Sequence, residues 1–338
     1  MDLRAGPSNL IEGDYVETVE GLFFTVKGLL HPKDRVVAYL RYVPDARGER
    51  KREGRRYRRV YDLGEATEIL RRDYPQYLGR VESLGRTLQT VPWDRIARVY
   101  KPEERLRSLM DRPRTELEEI VVEFASALSS ESGVPLDNFG VSGSILIGLT
   151  SPSSDVDLIV HGEEPGRSVY EALKRLRAAC NWISPYDENT VEKVLRARWG
   201  DVGVDLERLR GIEVKKVLHG LVRDRDYFVR LVKGPGEVEA EIASRPLGRA
   251  KLKAVVAGAE DSIFTPCRYL LRRCTLQEPP LPRGVTELLS FRGRFTEQAA
   301  EGETVEAAGT LEEVEYGDRA VYRVVLGGRG DYLIPIRG

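Results

Sequence analysis

Two short motifs carry residue types that can bind a phosphate and a metal ion. Gly143-Ser144 follows an apolar segment, and a glycine there lets the backbone approach a phosphate closely. A short helix over 145–149 would point its N-terminal amides at the same anion. Asp155 and Asp157 lie two residues apart on a predicted strand, so both carboxylates face one side. Such a pair can hold Mg²⁺ against the phosphates of a nucleotide.

The elements around the motifs are predicted to hold them in an α/β arrangement. Thr115 and Glu118 form a capping box that starts a helix, and Gly133 ends it. The apolar run after Asp157 predicts a short strand over 155–162. An amphipathic helix is then expected over 166–179. Together these patterns predict a helix before the phosphate motif and a strand that carries both aspartates.

This arrangement resembles the DNA polymerase β-like nucleotidyltransferase superfamily. Its motif is a hydrophobic residue, Gly, then Gly or Ser, followed after about nine to thirteen residues by Asp-x-Asp on a strand. Gly143-Ser144 and Asp155-Val156-Asp157 match this motif, and the resemblance covers roughly 115–245. The bland alternative is a turn followed by a solvated strand end, because either motif alone is common.

The resemblance implies a reaction and its cofactors. A nucleoside monophosphate would pass from a nucleoside triphosphate to a hydroxyl acceptor, with release of pyrophosphate. Two Mg²⁺ (or Mn²⁺) ions would be held by Asp155, Asp157 and a third acid, and Ser144 would orient the β- and γ-phosphates. RNA is the favoured acceptor, while protein and small-molecule acceptors remain open.

The third acid is expected on a hairpin formed by 227–232, a turn at 233–236 and a return strand at 237–242. Glu237, Glu239 and Glu241 alternate there, so they are predicted to face one side. By similarity to archaeal CCA-adding enzymes, Glu241 is the first choice, Glu239 the second and Asp205 a further candidate. The alternative is that the three glutamates form the solvated face of an edge hairpin. Cationic help for the transition state has several candidate sources, namely Arg167, Lys174, Arg230 and Lys233.

A basic run in the N-terminal part offers a surface for a nucleic-acid backbone. Its cations are Arg47, Arg50, Lys51, Arg52, Arg55, Arg56, Arg58 and Arg59. Tyr57 lies inside the run and Tyr42 and Tyr61 flank it, available for stacking on bases. A possible RNA acceptor would bind through Arg50, Lys51, Arg52, Arg55, Arg56, Arg58 and Arg59. The alternative is a solvated loop between two strands.

The patterning predicts an α+β multidomain protein with three parts. Residues 1–80 are expected to form a β-rich domain with the basic hairpin loop, and 81–246 the nucleotidyltransferase α/β core. Residues 247–338, with strand-like runs between Gly and Pro turns, predict an all-β barrel with an OB-like rhythm. The whole also resembles predicted nucleotidyltransferases of archaea, which carry extra N- and C-terminal domains.

Composition narrows the class of protein. The 338 residues contain 53 Lys+Arg against 54 Asp+Glu, which excludes a protein that coats nucleic acid with general positive charge. Three cysteines and three histidines disfavour disulfide frameworks and histidine-rich metal centres. Charged residues make up 32% of the chain, while Asn and Gln number four each. This composition is typical of proteins from thermophiles. Without a signal peptide or an 18-residue apolar run, a cytoplasmic location and no membrane contact are expected.

Two functions of other classes compete with nucleotidyl transfer. One is a nucleic-acid-binding protein that keeps the fold without turnover. The other is a carboxylate-metal phosphohydrolase, which would release orthophosphate where a nucleotidyltransferase releases pyrophosphate.

Overall fold

The structure is a computed structural model that describes 10–29, 31–200, 202–203, 206–239, 241, 243–278, 284–317 and 319–336. The predicted candidate Asp205 lies outside these residues. Internal contacts group the chain into two compact units. Among the described residues, unit 1 comprises 10–81, 86–161 and 225–228, and unit 2 comprises 82–85, 162–224 and 229–336. The boundaries of the three predicted domains stay a prediction, because these units are discontinuous in sequence.

Unit 1 begins with an eight-stranded sheet. Its strands are β1 (Tyr15–Thr18), β2 (Phe23–Val26), β3 (Arg35–Pro44), β4 (Arg50–Arg52), β5 (Arg55–Arg59), β6 (Leu78–Val81), β7 (Arg86–Pro92) and β8 (Ile96–Tyr100). The strand order is β4-β5-β3-β2-β1-β8, and β7 pairs with both β3 and β6. The basic run therefore forms a β4–β5 hairpin whose inner strand pairs with β3, with Tyr42 opposite Arg59.

Three helices lie in unit 1. Helix α1 (Leu63–Asp73) starts at the Asp62 cap and packs Ile69 and Leu70 into the core of the N-terminal sheet. Helix α2 is Pro102–Asp111. Helix α3 (Glu116–Ser132) starts at Thr115, whose hydroxyl accepts from Glu118 N, and ends at the left-handed Gly133. The predicted start and end of α3 are thus confirmed, but the Glu118 carboxylate accepts from Arg114 N at 2.7 Å, so the reciprocal bond of a capping box is not formed with Thr115 N.

The elements that carry the two motifs close unit 1. They are β9 (Phe139–Val141), helix α4 (Gly143–Leu146), β10 (Val156–His161) and the first half of β13 (Arg225–Val232). Strands β9 and β10 are antiparallel, with Leu158 opposite Val141, and β10 lies between β9 and β13 in the sheet. A buried cluster of Tyr15, Phe23, Tyr42, Tyr57, Leu146, Ile147 and Leu149 packs the N-terminal sheet on the residues around α4. Apolar burial thereby ties the basic hairpin to the phosphate motif.

Unit 2 contains the remaining helices and strands. Helices α5 (Glu163–Ala179), α6 (Glu188–Trp199) and α7 (Leu206–Glu213) precede β12 (His219–Val222), which pairs with the short β11 (Ile183–Ser184). Among the helices of the described residues, none is long and apolar enough to span a membrane.

A six-stranded sheet forms the C-terminal part of unit 2. Its strands are β14 (Ala243–Gly258), β15 (Cys267–Glu278), β16 (Val285–Ser290), β17 (Thr304–Tyr316), β18 (Arg319–Leu326) and β19 (Tyr332–Pro335). The order is β14-β15-β16-β18-β17-β19, and β14 also pairs with β17, so five strands form a closed path. Strands β16 and β18 are parallel. The structure as a whole is a mixed α/β fold with several sheets.

The structure departs from the predicted hairpin at 227–242. Strand β13 lies beside β12 where the prediction gave it 237–242 as its partner. After β13, Pro235–Glu237 forms a single 3₁₀ turn, and the Glu237 carboxylate accepts the backbone N–H of Gly234 at 2.7 Å. This local cap holds Glu237 in a turn, so the alternation of glutamates does not arise from a strand.

Candidate active site

The two sequence motifs lie in direct contact in unit 1. Gly143 has a φ of +63°, a conformation that favours glycine. A Cβ at this position would lie 2.1 Å from Asp157 Oδ2, so a larger residue would displace the carboxylate. The backbone N–H of Ser142 also donates to the Asp157 carbonyl at 2.8 Å. The structure therefore holds the Asp157 carboxylate against the glycine that begins α4.

The loop between α4 and β10 is tied to the basic hairpin. Arg50 is 4% exposed, and its Nη1 donates to the Leu149 carbonyl at 3.2 Å and to Ser154 Oγ at 2.9 Å. Ser144 Oγ lies 3.0 Å from the same Ser154 Oγ. Because these bonds join both ends of the loop, Arg50 fixes the path from the phosphate motif to Asp155.

Three carboxylates of unit 1 influence one another electrostatically. Burial, followed by the charge of Asp157, raises the pKa of Asp155 to about 6. Asp226, at the start of β13, acts in the same direction, while Arg59 and Arg50 act in the opposite direction. Asp155 and Asp157 are half-buried, so the site holds concentrated negative charge that remains open to solvent.

This donor set suits a divalent cation that shares its coordination with a nucleotide. Mg²⁺ prefers oxygen ligands, and proteins usually give it one or two carboxylates and leave the rest to water and phosphates. Asp155 and Asp157 offer such a pair on one side of β10. Within the described part of the chain, no three or more His, Cys, Asp or Glu side chains are grouped as a metal site. The carboxylate pair therefore fits a metal ion held together with substrate better than one enclosed by protein alone.

Glu241 and Glu239, the first two choices for the third acid, lie in unit 2, where each has a protein partner. Arg323 donates to both oxygens of Glu241, at 2.5 and 3.0 Å. Glu239 forms an ion pair with Arg319. These contacts do not test the prediction that Glu241 binds a metal. The acid that the structure brings to Asp155 is Asp226, which the sequence argument did not consider.

The cations predicted to assist transfer are engaged elsewhere. In unit 2, Arg167 and Lys233 both pair with Glu163 and Asp261, at distances from 2.7 to 3.0 Å. Lys174 pairs with Glu171 at 2.8 Å, and Arg230 lies on β13. The arginines whose charges act on Asp155 are Arg50 and Arg59.

The basic hairpin divides into inward and outward cations. The inward group has buried or half-buried side chains with partners inside unit 1, namely Arg50, Arg52, Arg58 and Arg59. The exposed group comprises Arg47, Lys51, Arg55 and Arg56. Direct contact of Arg50 with an RNA backbone is a prediction that its burial contradicts. Tyr42 and Tyr57 are also buried, whereas Tyr61 is 62% exposed.

Two residues of this site were missed at the level of sequence. Asp226 stands in the run RDYFVRLV, whose apolar half was predicted as a strand. An acid at the start of a strand that neighbours an Asp-x-Asp strand is the signal that could have identified it. Arg59 was assigned to the acceptor surface, and no local pattern distinguishes it from the exposed arginines beside it.

Comparison with known proteins agrees with this geometry. Residues 121–228 match the family described as nucleotidyltransferase domain, a range that includes Gly143, Asp155, Asp157 and Asp226. The chain therefore carries a nucleotidyltransferase domain of the polymerase β-like kind, as the two motifs predicted.

The similarity extends to a whole archaeal protein. The chain is 28% identical to an uncharacterized protein of Methanocaldococcus jannaschii over 329 residues, which cover 93% of this chain and 94% of that relative. No solved structure gave a significant match.

Proposed function

We propose that the protein is an Mg²⁺-dependent nucleotidyltransferase that moves a nucleoside monophosphate from a nucleoside triphosphate to a hydroxyl acceptor. The observation that carries this proposal is the contact of the Asp157 carboxylate with Gly143, with Asp155 two residues away on the same side. A phosphate near Gly143 would then lie beside the two acids that hold its metal ion. The matched family supports nucleotidyl transfer in general, and the metal and acceptor belong to the proposal.

The proposed reaction balances without a further reactant. The acceptor oxygen forms a bond to the α-phosphorus, and the bond from that phosphorus to the bridging β-oxygen breaks. Pyrophosphate leaves with the electron pair of that bond, and the acceptor hydroxyl releases one proton. When bound, Mg²⁺ would supply charge neutralisation on the phosphates and activation of the hydroxyl.

The chain's own residues have separate tasks in this proposal. Asp155 and Asp157 bind the metal, and Asp226 is the third acid that the charges around Asp155 favour. Gly143 places no side chain between the Asp157 carboxylate and a phosphate, and the backbone N–H of Ser144 at the start of α4 would donate to that phosphate. Arg50 keeps the connecting loop in one conformation, so the acids meet the phosphates without a large rearrangement.

We place the acceptor on the outward side of the basic hairpin. Its exposed cations Lys51, Arg55 and Arg56 are suited to a phosphodiester backbone, and exposed Tyr61 is suited to a base. The strand order of the closed C-terminal path, first-second-third-fifth-fourth, supports an OB-like barrel, a fold that often binds oligonucleotides. RNA is therefore the proposed acceptor class, and a cytoplasmic location stays a prediction from the sequence.

The test is a transfer assay with each of four α-labelled nucleoside triphosphates, Mg²⁺ or Mn²⁺, and total cellular RNA. The expected result is labelled RNA and an equal amount of pyrophosphate, both absent in Asp155→Asn and Asp157→Asn. Release of orthophosphate in place of pyrophosphate would identify a phosphohydrolase. RNA binding that persists without any consumption of triphosphate would identify a non-catalytic binding protein. Either of these results overturns the proposal.

A further inference from the structure

Arg59 differs from its neighbours on the basic hairpin in where its charge acts. It is the last residue of β5, its side chain is half-buried, and its charge interacts with Asp157 and with Asp155. The guanidinium lies 4.4 Å from the centre of the Tyr61 ring. In the part of the chain that the structure describes, it forms no ion pair with these carboxylates.

The adjacent arginine shows what an ordinary cation of this strand does. Arg58 binds Glu65 at 2.6 Å and Asp45 at 3.5 Å, so its charge is neutralised by direct contact. Both arginines belong to the same strand, and successive side chains of a strand point to opposite faces. Arg58 thus pairs with an acid of α1 and one just after β3, while the charge of Arg59, on the other face, acts on the acids of the candidate active site.

The charge of this half-buried guanidinium acts on two carboxylates with which it forms no ion pair, and that arrangement needs a physical reason. Opposite charges in a partly desolvated site attract strongly and close to contact when nothing holds them apart. Stacking on Tyr61 holds the guanidinium plane in place. The Arg59 guanidinium and the carboxylates of Asp155 and Asp157 then remain apart. Such a separation suits a ligand that carries both a metal ion and negatively charged oxygens.

A triphosphate with its magnesium ion is a ligand of this kind. The metal belongs on the carboxylates, and the phosphate oxygens belong on a planar guanidinium, which binds them in a bidentate manner. The hairpin that carries Arg59 is also tied to the site, because Arg50 on its other strand donates to Ser154 Oγ in the loop before Asp155. The hairpin that presents Arg59 is therefore fixed relative to Gly143 and Ser144.

We propose that Arg59, supplied by the N-terminal sheet, binds the β- and γ-phosphates of the nucleoside triphosphate in the Asp155–Asp157 site. This inference rests on the proposed function and assigns to it a substrate-binding residue from outside the matched family range of 121–228. The N-terminal sheet then contributes a residue to the nucleotide site and also provides a surface for the acceptor.

The experiment measures equilibrium binding of nucleoside tri-, di- and monophosphates by calorimetry, with Mg²⁺ and without an acceptor. Arg59→Gln removes the charge, and Arg59→Lys keeps the charge but loses the planar, bidentate guanidinium. Arg58→Gln is the matched control on the same strand. Arg59→Gln is expected to weaken triphosphate binding about tenfold to a hundredfold, the range for a lost charge-assisted hydrogen bond. Monophosphate binding changes little, Arg59→Lys is intermediate, and Arg58→Gln binds like wild type.

Three results overturn the inference. In the first, Arg59→Gln binds triphosphate like wild type. In the second, it weakens mono- and triphosphate equally. In the third, transfer kinetics show a raised KM for RNA and an unchanged KM for the triphosphate, which assigns Arg59 to the acceptor. If Arg59→Gln does not fold, as judged by circular dichroism, Arg59→Lys decides between the same outcomes.

The same measurements separate this inference from the proposed function. If wild type transfers nucleotide, Asp157→Asn does not, and Arg59→Gln is unaffected, only the role of Arg59 fails. If wild type neither binds nor transfers any of the four nucleotides, the proposed function fails and the inference fails with it.

Discussion

The molecule contains two clusters of acids and arginine that differ in whether the acids form direct ion pairs with the arginine. In unit 1, the charges of Asp157 and Asp226 act on Asp155, and the charge of Arg59 acts on Asp155 and Asp157 without a contact ion pair. In unit 2, Glu241 and Glu312 both bind Arg323 directly. We call these the open cluster and the closed cluster.

The electrostatics of the two clusters follow from this difference. In the open cluster, burial and repulsion raise the pKa of Asp155 to about 6, so ionising it costs free energy. In the closed cluster, burial acts to lower the pKa of Arg323, but the hydrogen bond and charge of Glu241 and the charge of Glu312 raise it overall. Charges that pair with one another stabilise a fold, whereas the mutually repelling carboxylates of Asp155 and Asp157 suit an external cation.

The largest expected contrast is in transfer activity. Asp157→Asn should lower kcat/KM for nucleotidyl transfer at least about a hundredfold, because it removes a proposed metal ligand. Asp226→Asn should lower it comparably, and Glu241→Gln should leave it within about threefold of wild type. Rates are measured with labelled triphosphate and RNA. A loss in Glu241→Gln as large as in Asp157→Asn would return Glu241 to the active site, as the sequence first suggested.

The next contrast is in folding stability. Arg323→Met should lower the free energy of unfolding by about 3–5 kcal/mol, because it leaves Glu241 and buried Glu312 without a counter-ion. Arg319→Gln, which breaks the exposed pair with Glu239, is the control and should cost less than about 1 kcal/mol. Urea unfolding provides both values. Equal losses in the two variants would show that the closed cluster is no stronger than a surface pair.

Removing an acid from the open cluster should raise the free energy of unfolding, whereas removing Arg323 from the closed cluster lowers it. Asp155→Asn should raise the free energy of unfolding at pH 7 by about 1–2 kcal/mol, below the limit of about 3 kcal/mol set by a pKa raised from 3.8 to about 6. Glu241→Gln should lower it by about 1–3 kcal/mol, because it weakens a charge-assisted pair with Arg323.

The effect of Asp155 should also depend on pH. The pKa of Asp155 is higher in the folded state, so folded wild type binds more protons than the unfolded chain between about pH 4 and 6. The free energy of unfolding of wild type therefore falls as the pH rises from about 4 to about 6. The advantage of Asp155→Asn should therefore be absent below about pH 4 and complete above about pH 6. An advantage that is constant from pH 4 to 7 would mean that Asp155 is not destabilised by its charge.

The smallest contrast is stabilisation by magnesium. At a concentration about tenfold above its dissociation constant, Mg²⁺ should add about 1.4 kcal/mol to wild type, a rise in Tm of about 2–4 °C. Glu241→Gln should keep this rise and Asp157→Asn should lose it. Thermal unfolding with and without Mg²⁺ measures the shift. The same rise in Asp157→Asn would place the bound ion outside the open cluster.

Much of the open cluster could be predicted from the sequence, because its parts are close along the chain. Gly143-Ser144 and Asp155-x-Asp157 are separated by one short helix and a loop, so local spacing limits where they lie. The cap of α3 at Thr115 and its end at Gly133 were predicted for the same reason. The match of 121–228 to nucleotidyltransferase domains confirms the class of protein that these patterns indicated.

The remainder depended on contacts between distant segments. The glutamates at 237–241 alternate as a strand face does, yet Glu237 caps a turn and Glu241 binds Arg323, 82 residues away. Alternation cannot reveal such partners, because capping and long-range ion pairs use the same residue types as a solvated strand. Likewise, no local sequence pattern distinguishes the inward from the outward cations among the eight of the basic run. The pairing of β5 with β3 turns Arg59 inward.

The sequence by itself determined the local chemistry: a flexible glycine, a hydroxyl and two carboxylates on one side of a strand, which together specify a phosphate and metal site. Only the tertiary structure decided which distant charges join that site. Asp226 reaches it because β13 is the neighbour of β10, and Arg59 because the N-terminal sheet packs on α4. Backbone geometry acts over a few residues and can be read from spacing, whereas electrostatic interactions act between any groups that folding brings close.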